Sequence, residues 1–156
     1  RDDLVTGVQT CALPILFDGE DLTRFIDAAT WVSVNDYESE LMQERTGLTA
    51  ADIAAGVQAY IVTRGAEGSL IYTSGQCLEI PCASVSVVKD PTGCGDAYRA
   101  GLLYGLMNDL PWETTGRIAS LLGGIKIEHG GTQNHRITRV DFEARYKDTF
   151  GATLEW

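Results

Sequence analysis

The chain has 156 residues, of which 44% are hydrophobic and 22% charged, so it has the composition of a globular protein and can bury the core of one domain. Its formal net charge of -10 argues against nucleic acid as a partner, because phosphate backbones attract basic surfaces, but backbone N–H groups can still hold a nucleotide. No apolar run is long enough to span a bilayer, no secretory signal is visible, and the four cysteines fit no zinc or CxxC pattern; we therefore expect no membrane partner, free thiols and a cytoplasmic location.

Residues 5–15 match one reading frame of a common DNA-sequencing adapter over the whole run. We therefore interpret residues 1–15 as a non-native artefact of sequence assembly and residues 16–156 as the natural segment. The alternative is a natural strand from Leu4 to Val8 followed by a loop. Uninterrupted coding reads across Ile15 in adapter-trimmed DNA data would reject the artefact.

Helices and strands alternate along the first half of the natural segment. The pattern predicts helices over residues 21–29, 38–46 and 49–57, and strands over residues 30–34, 60–63, 69–73 and 77–81. Gly47 is placed to close the second helix. Residues 60–63 are an apolar run, as expected of a strand buried on both faces of a parallel sheet. The last two strands flank Ser74, Gly75 and Gln76 as a hairpin.

The second half predicts a strand, a glycine-rich turn and three helices. The strand covers residues 85–88, and the helices cover about 95–107, 111–128 and 138–150. Pro111 suits the first turn of the second helix, and Thr138 with Asp141 resembles a capping box for the third. Strands alternating with helices indicate an α/β layered fold with a mostly parallel sheet.

The turn from Thr92 to Asp96 follows the apolar strand and opens a helix. The first N–H groups of a helix have no internal partners and lie at its positive end, so such a turn predicts an anion site. Gly93 and Gly95 would let the backbone approach a phosphate closely. The spacing leaves two roles open for Asp96: a cap or first-turn acid, or a general base for an attacking hydroxyl.

Residues 90–101 resemble the second signature of the ribokinase family, the PfkB carbohydrate kinases, whose pattern is close to D-T-T-G-A-G-D-x-F-x-x-G. The sequence departs from it at Pro91, Cys94 and Tyr98. The resemblance implies a ribokinase-like three-layer α/β/α sandwich, with residues 16–156 forming the C-terminal part of the kinase domain and the N-terminal half missing.

The resemblance also implies roles for the residues of the turn. Asp96 matches the catalytic base, and the amides of Gly93, Cys94 and Gly95 match the anion hole for the transferring phosphoryl group. Asp90 and Thr92 match positions that bind potassium in members activated by monovalent cations.

Two further elements match the family, and each has a structural alternative. Asn35 and Glu38 match the N-x-x-E element that organises magnesium and its waters; alternatively, they are a turn residue and a first-turn acid. Thr63, Gly65 and Gly68 match the T-x-G-x-x-G turn that lines the ATP site; alternatively, the glycines only shape a hairpin turn. Gly131 lies in a late loop, residues 130–133, that the resemblance places near nucleotide and cation.

The implied reaction is transfer of the γ-phosphoryl group of ATP to a hydroxyl of a sugar or nucleoside, with ATP and Mg²⁺ required and K⁺ as a further candidate. The Thr-Gly-Cys-Gly-Asp form of the signature, together with Val-Asn-Asp-Tyr-Glu at residues 34–38, resembles adenosine kinase-like proteins and so favours adenosine or a ribose-like acceptor. We expect the isolated fragment to be inactive, and the resemblance allows a homodimer of the full-length enzyme. Two rivals remain: a catalytically silent nucleotide-binding module of the same fold, and an unrelated α/β domain whose glycine turn is structural and which would show no thermal shift with ATP.

Overall fold

A computed structural model describes residues 16–154. The two predictions for the first fifteen residues, the artefact and the alternative strand from Leu4 to Val8, lie outside the described residues. The chain divides into two compact units, with the boundary between Glu79 and Ile80.

The first unit contains three helices and a four-stranded sheet. In chain order the elements are α1 (Gly19–Ala28), β1 (Trp31–Asn35), α2 (Asp36–Thr46), α3 (Ala50–Gly56), β2 (Ala59–Thr63), a 3-10 turn (Gly65–Glu67), β3 (Ser69–Thr73) and β4 (Gln76–Ile80). Every helix and strand predicted in this region is present, with ends that differ by only one or two residues.

The strands lie in the order β1-β2-β3-β4. β1 and β2 are parallel, with Asn35 opposite Thr63 at their carboxyl ends, whereas β2 and β3 are antiparallel. Ser74 and Gly75 join β3 to β4 with positive φ angles of 50° and 73°, as a two-residue hairpin turn requires. The predicted hairpin is confirmed. The alternation of strands and helices predicted a mostly parallel sheet, but only the β1–β2 pairing is described as parallel.

β2 forms the centre of the first core. Its residues from Ala59 to Val62 are all buried, because helices and neighbouring strands cover both of its faces. Tyr60 is fully buried and donates its hydroxyl hydrogen to Ser39 Oγ over 2.8 Å. Burial raises the pKa of Tyr60 to about 12, so the phenol stays neutral and its polar end is satisfied.

The second unit contains three helices, α4 (Cys94–Met107), α5 (Trp112–Ile127) and α6 (Arg139–Phe150). The strand predicted over residues 85–88 is wrong, because residues 81–91 form irregular extended chain. Their backbone groups bond to α5 and its end instead: Ala83 N donates to Ser120 Oγ over 2.9 Å, and Lys89 N donates to Ile127 O over 2.9 Å. The mostly apolar, β-branched residues 85–88 are therefore extended, but within the described residues they pair with no strand.

α4 and α5 approach each other unusually closely. A Cβ on Gly101 would lie 2.4 Å from Ala119 Cα, and one on Gly105 would lie 2.3 Å from Thr115 Oγ1. The partner that these two glycines admit is therefore the neighbouring helix. Two helices can approach this closely only where one lacks side chains.

A partly buried ion pair holds α6 and the extended chain to the end of α5. Arg145 donates to both carboxylate oxygens of Glu128, over 2.7 and 2.8 Å, and Ser86 N donates to Glu128 Oε1 over 2.7 Å. Arg145 also donates to Ser84 O. The bonds from Arg145 and then from Ser86 hold the pKa of Glu128 at about 2, so the carboxylate is charged at neutral pH.

Of the helices within residues 16–154, none combines the length and the apolar character that crossing a membrane would need.

Candidate functional site

Helix α4 begins without a capping side chain. Its N-cap is Gly93, with φ at 85°, and no side chain bonds to the first-turn N–H groups. Within residues 16–154, no partner is found for the N–H groups of Gly93, Gly95 and Asp96. Unpaired donors at the positive end of a 14-residue helix are an arrangement that can bind an anion, and the predicted anion site stays a prediction.

Gly93 cannot be replaced without cost, for two separate reasons. Its φ angle of 85° lies in the left-handed region, and a Cβ there would lie 3.3 Å from both Cα and O of Thr132. Thr132 belongs to the late loop that the sequence placed near the nucleotide. The turn before α4 and the late loop are therefore packed backbone to backbone, and only glycine fits between them.

Cys94 differs in part from the expectation. Its N–H donates to Pro91 O over 3.1 Å, so this predicted anion-hole donor is already used inside the turn. The thiol lies 3.9 Å from Asp90 O, and burial raises its pKa, which keeps it protonated. In the described structure the free donors flank Cys94 rather than include it.

Asp96 presents its carboxylate to solvent at the start of α4. The side chain is 77% exposed, and Oδ1 accepts a hydrogen bond from Arg99 over 2.5 Å. Because no side chain caps this helix, the cap alternative for Asp96 is wrong. A first-turn acid paired one turn along the helix and a general base beside the anion site both remain compatible with this position.

Asp90 holds the turn and the late loop together. Its Oδ1 accepts from Thr92 N over 2.9 Å, and its Oδ2 accepts from Gly131 N over 2.8 Å. The bonds from Thr92, then that from Gly131, lower the pKa of Asp90 to about 2. Gly131, which the sequence proposed separately from Asp90 and Thr92, therefore forms one hydrogen-bonded cluster with them.

Lys126 is a member of this cluster that the sequence analysis missed. It lies in the last turn of α5, and its side chain is fully buried. Nζ donates to Asp90 O over 2.7 Å and to His129 O over 3.3 Å, and it lies 4.0 Å from Asp90 Oδ2. A signal was present, because Lys126 is a cation between two isoleucines in an apolar helix end, but residue spacing does not show which groups it meets.

In the first unit, Asn35 and Glu38 form a reciprocal capping box at the start of α2. Glu38 N donates to Asn35 Oδ1 over 2.8 Å, and Asn35 N donates to Glu38 Oε2 over 2.9 Å. The structural alternative for both residues is thus confirmed as one of their roles. Glu38 is only 4% exposed, and its Oε1 takes no part in the capping box, so indirect magnesium binding by the pair stays a prediction.

No group of three or more His, Cys, Asp or Glu side chains within the described part of the chain could hold a metal ion by itself. A magnesium ion here would therefore need phosphate oxygens and waters as most of its ligands, which is its usual arrangement beside a nucleotide.

Thr63 ends β2 directly beside Asn35 on β1. The following turn has Gly65 at φ 55° and Gly68 at φ 84°, and Arg64 N donates to Gly68 O over 2.8 Å. The glycines thus shape a hairpin connection, as their structural alternative predicted. A Cβ on Gly65 would meet nothing within 4 Å, so its surface is open and ATP binding by this turn stays a prediction.

The predicted site residues therefore come together as two groups, one in each unit. Asp90, Thr92, Gly131 and the start of α4 form one group, and Asn35, Glu38 and Thr63 form the other.

The chain is similar to known proteins in family, in sequence and in structure. The pfkB family carbohydrate kinase profile matches residues 10–139. A nucleoside kinase of Methanocaldococcus jannaschii is 34% identical over 119 residues, which are 76% of this chain and 39% of that protein. The profile match includes residues 10–15, which belong to the segment interpreted as an artefact. That interpretation stays a prediction.

Solved structures give the same relationship. A Burkholderia thailandensis nucleoside kinase in complex with inosine superposes with a TM-score of 0.87 at 46% identity, covering 89% of this chain and 46% of that one. The M. jannaschii nucleoside kinase, an archaeal member of the ribokinase family, gives a TM-score of 0.83 at 31% identity, covering 86% of this chain and 45% of that one. The fold is therefore ribokinase-like, and the chain spans less than half the length of these relatives.

Proposed function

The chain belongs to the pfkB family of carbohydrate kinases, and we propose that the protein carrying it transfers the γ-phosphoryl group of ATP to a hydroxyl of a nucleoside. One observation supports this most: an exposed carboxylate, Asp96, stands at a helix start whose neighbouring N–H groups have no partners among residues 16–154. A carboxylate beside an anion site is repelled by the ligand, so its presence is best explained by a proton that it must accept.

The reaction follows from these groups. The acceptor hydroxyl oxygen forms a bond to the γ-phosphorus while the bond between that phosphorus and the bridging oxygen breaks, and ADP leaves. Asp96 takes the hydroxyl proton. The N–H groups of Gly93, Gly95 and Asp96 hold the oxygens of the transferring group, so catalysis rests on positioning and charge stabilisation.

The other predicted residues would serve the phosphoryl donor. In this proposal Thr63, Gly65 and Gly68 line the ATP site, with Gly131 near the phosphates, and Asn35 and Glu38 hold waters of the magnesium shell. Magnesium supplies positive charge to the phosphate oxygens when it is bound. The assignment of Thr63 and Asn35 is supported by their adjacent positions at the carboxyl ends of two parallel strands, where α/β proteins commonly bind ligands.

We propose a nucleoside as acceptor because the B. thailandensis and M. jannaschii relatives are named nucleoside kinases and the former was solved with inosine. A free ribose-like sugar is the second candidate, since the family contains carbohydrate kinases. Phosphorylation of inosine, adenosine and ribose by the full-length enzyme, followed as ADP release, separates the two. Higher kcat/KM for ribose than for both nucleosides would contradict the nucleoside assignment.

We also propose that the 156-residue chain by itself is inactive, because it spans less than half the length of its relatives. Phosphorylation of any sugar or nucleoside by the isolated chain would contradict this. The free cysteines of the described structure, Cys77, Cys82 and Cys94, support a cytoplasmic location. A homodimer of the full-length enzyme remains a prediction that light scattering would test.

The substitution Asp96→Asn tests the central assignment. In the full-length enzyme we expect turnover to fall by about 10²- to 10⁴-fold, the usual contribution of a general base, while ATP still binds. Glu113→Gln is a matched control, because Glu113 is also an exposed first-turn acid paired with an arginine one turn along its helix. Turnover of Asp96→Asn within about threefold of the control would contradict the role of base, on the same scale of general-base effects.

The rival is a catalytically silent nucleotide-binding module. It predicts that the wild-type full-length protein binds ATP, seen as a thermal shift, but releases no ADP with any acceptor tested. The unrelated-domain alternative is removed by family membership.

A further inference from the structure

The oxygens beside the anion site already hold a cation that belongs to the chain. Lys126 Nζ lies 2.7 Å from Asp90 O and 3.3 Å from His129 O, with Asp90 Oδ2 at 4.0 Å. Backbone carbonyl oxygens are the ligands that replace the hydration shell of potassium in proteins. An ammonium group has the same charge as a potassium ion and a similar size, so both suit one set of oxygens.

The burial of Lys126 shows that this contact is more than a helix-end interaction. Its side chain exposes 0% of its surface, and a charged lysine is rarely taken out of water unless its donors are paired. A last-turn lysine that only capped the end of its own helix would bond to a nearby carbonyl such as His129 O and to no distant segment. The shorter bond instead goes to Asp90, 36 residues away in sequence.

The predicted potassium residues are correspondingly occupied. Both carboxylate oxygens of Asp90 accept backbone N–H groups, from Thr92 and from Gly131, and the Asp90 carbonyl faces Lys126. A potassium ion at these oxygens would meet the ammonium group at close range and be repelled. The residues that match the family's monovalent-cation positions therefore do not fit a free cation while Lys126 is in place.

We propose that Lys126 is a built-in replacement for a monovalent cation, so that the anion site of this protein is ordered without potassium. The ammonium group acts through the Asp90 segment, which bonds the turn before α4 to the late loop at Gly131. Lys126 is therefore a positioning residue and contacts no reacting atom.

The first test needs no substitution. The melting temperature of the wild-type full-length protein is measured at equal ionic strength in potassium, sodium and tetramethylammonium chloride. We expect equal values in the three salts. A saturable rise with potassium, absent with tetramethylammonium, would overturn the proposal, because a cation bound to the native state stabilises it by mass action.

The second test removes the ammonium group of Lys126. Lys126→Ala removes the ammonium group and leaves space, whereas Lys126→Met removes the charge but fills the space. We expect both variants to melt below wild type, and only Lys126→Ala to be stabilised by potassium or methylammonium. Lys89→Ala is the control, since Lys89 is exposed in the same unit, and its melting should not depend on the cation. Equal melting of Lys126→Ala in potassium and tetramethylammonium would contradict the proposal.

Activity provides a third measurement, which rests on the proposed function. Wild-type ADP release should be unchanged when potassium replaces tetramethylammonium, and release by Lys126→Ala should rise about 5- to 150-fold, the usual range of coupling between two sites. If the wild type had no kinase activity, the proposed function would fail while the melting experiments would still decide the role of Lys126.

Discussion

The two groups of predicted site residues differ in how far along the chain their contacts reach. In the first unit, Asn35 and Glu38 bond to each other across three residues. In the second unit, Asp90 bonds to Lys126 and Gly131 across 36 and 41 residues. A local motif can be complete in the sequence, whereas a cluster built across long separations includes members that no motif names.

The long-range contacts should therefore carry more stability than the local ones. The largest expected effect is that of Glu128→Gln, which leaves Arg145 without its carboxylate partner. Because the Glu128 side chain is only 10% exposed, we expect the free energy of unfolding to fall by about 2–4 kcal/mol, slightly less than for a fully buried pair. Denaturant unfolding measures this.

Glu20→Gln is the local control. Glu20 pairs with Arg24 one turn along α1, and both side chains are largely exposed, so a change of no more than about 0.5 kcal/mol is expected. Equal losses in the two variants would contradict the distinction between long-range and local contacts.

Acid should reveal the same ion pair. The pKa of Glu128 falls from an ordinary value of 4.5 to about 2, chiefly through its bond to Arg145. The stability that this carboxylate contributes is therefore complete above the ordinary value and is lost as the pH falls toward 2. We expect the melting temperature of wild type to drop more steeply than that of Glu128→Gln between pH 5 and pH 2. Parallel curves over this window would show that Glu128 gains nothing from its partners.

Gly93→Ala breaks a contact that depends on both conformation and a distant loop. A side chain at φ 85° and 3.3 Å from the backbone of Thr132 should cost about 1–2 kcal/mol of stability from the left-handed conformation. The displaced donors should lower turnover of the full-length enzyme by about 10²-fold, as small misplacements at active sites do.

Gly123→Ala provides the comparison for Gly93→Ala. Gly123 lies inside α5, where a Cβ would make an ordinary contact of 3.7 Å with Cys94 O. We expect its stability to be unchanged or to rise by about 0.5–1 kcal/mol, because alanine suits a helix interior better. A fall in activity as large as that of Gly93→Ala would mean that the turn has no special need for glycine.

The smallest effect concerns the local group. Asn35→Ala removes a capping side chain and should cost about 1 kcal/mol. Thr49→Ala is matched to it, since Thr49 and Asp52 form a second reciprocal capping box at α3. If Asn35 also organises magnesium, only Asn35→Ala should raise the magnesium concentration needed for half-maximal activity. The same magnesium dependence in both variants would leave Asn35 as a cap alone.

These contrasts also explain what the sequence could predict. The helices, the hairpin at Ser74 and Gly75, and the glycine turn that opens α4 at Gly93 were all predictable, because caps, glycine conformations and apolar periodicity are local properties. The strand over residues 85–88 was wrong because its apolar β-branched residues favour extension, while strand pairing depends on a partner that the pattern does not contain.

Lys126, which belongs to the candidate site, and Glu128, which holds α6 in the fold, were both missed and share one property. Lys126 and Glu128 are charged side chains near the end of an apolar helix, and their roles depend on segments 36 and 42 residues earlier. A charge in such a place indicates that a partner exists but does not say which. Only the ribokinase family resemblance assigned Asp96 its role as base, and that assignment still rests on the proposed experiment.

The close approach of α4 and α5 has a consequence for how this sequence can evolve. A side chain at Gly101 would meet the backbone of Ala119, and no change of the residue at 119 can remove backbone atoms, so position 101 should tolerate no other residue while the helices keep this spacing. Gly105 instead meets the side chain of Thr115. Because even Cβ of Thr115 would lie 2.7 Å from a Cβ at position 105, relatives with alanine at 105 should carry glycine at 115. Positions 105 and 115 can therefore change together, while position 101 stays glycine.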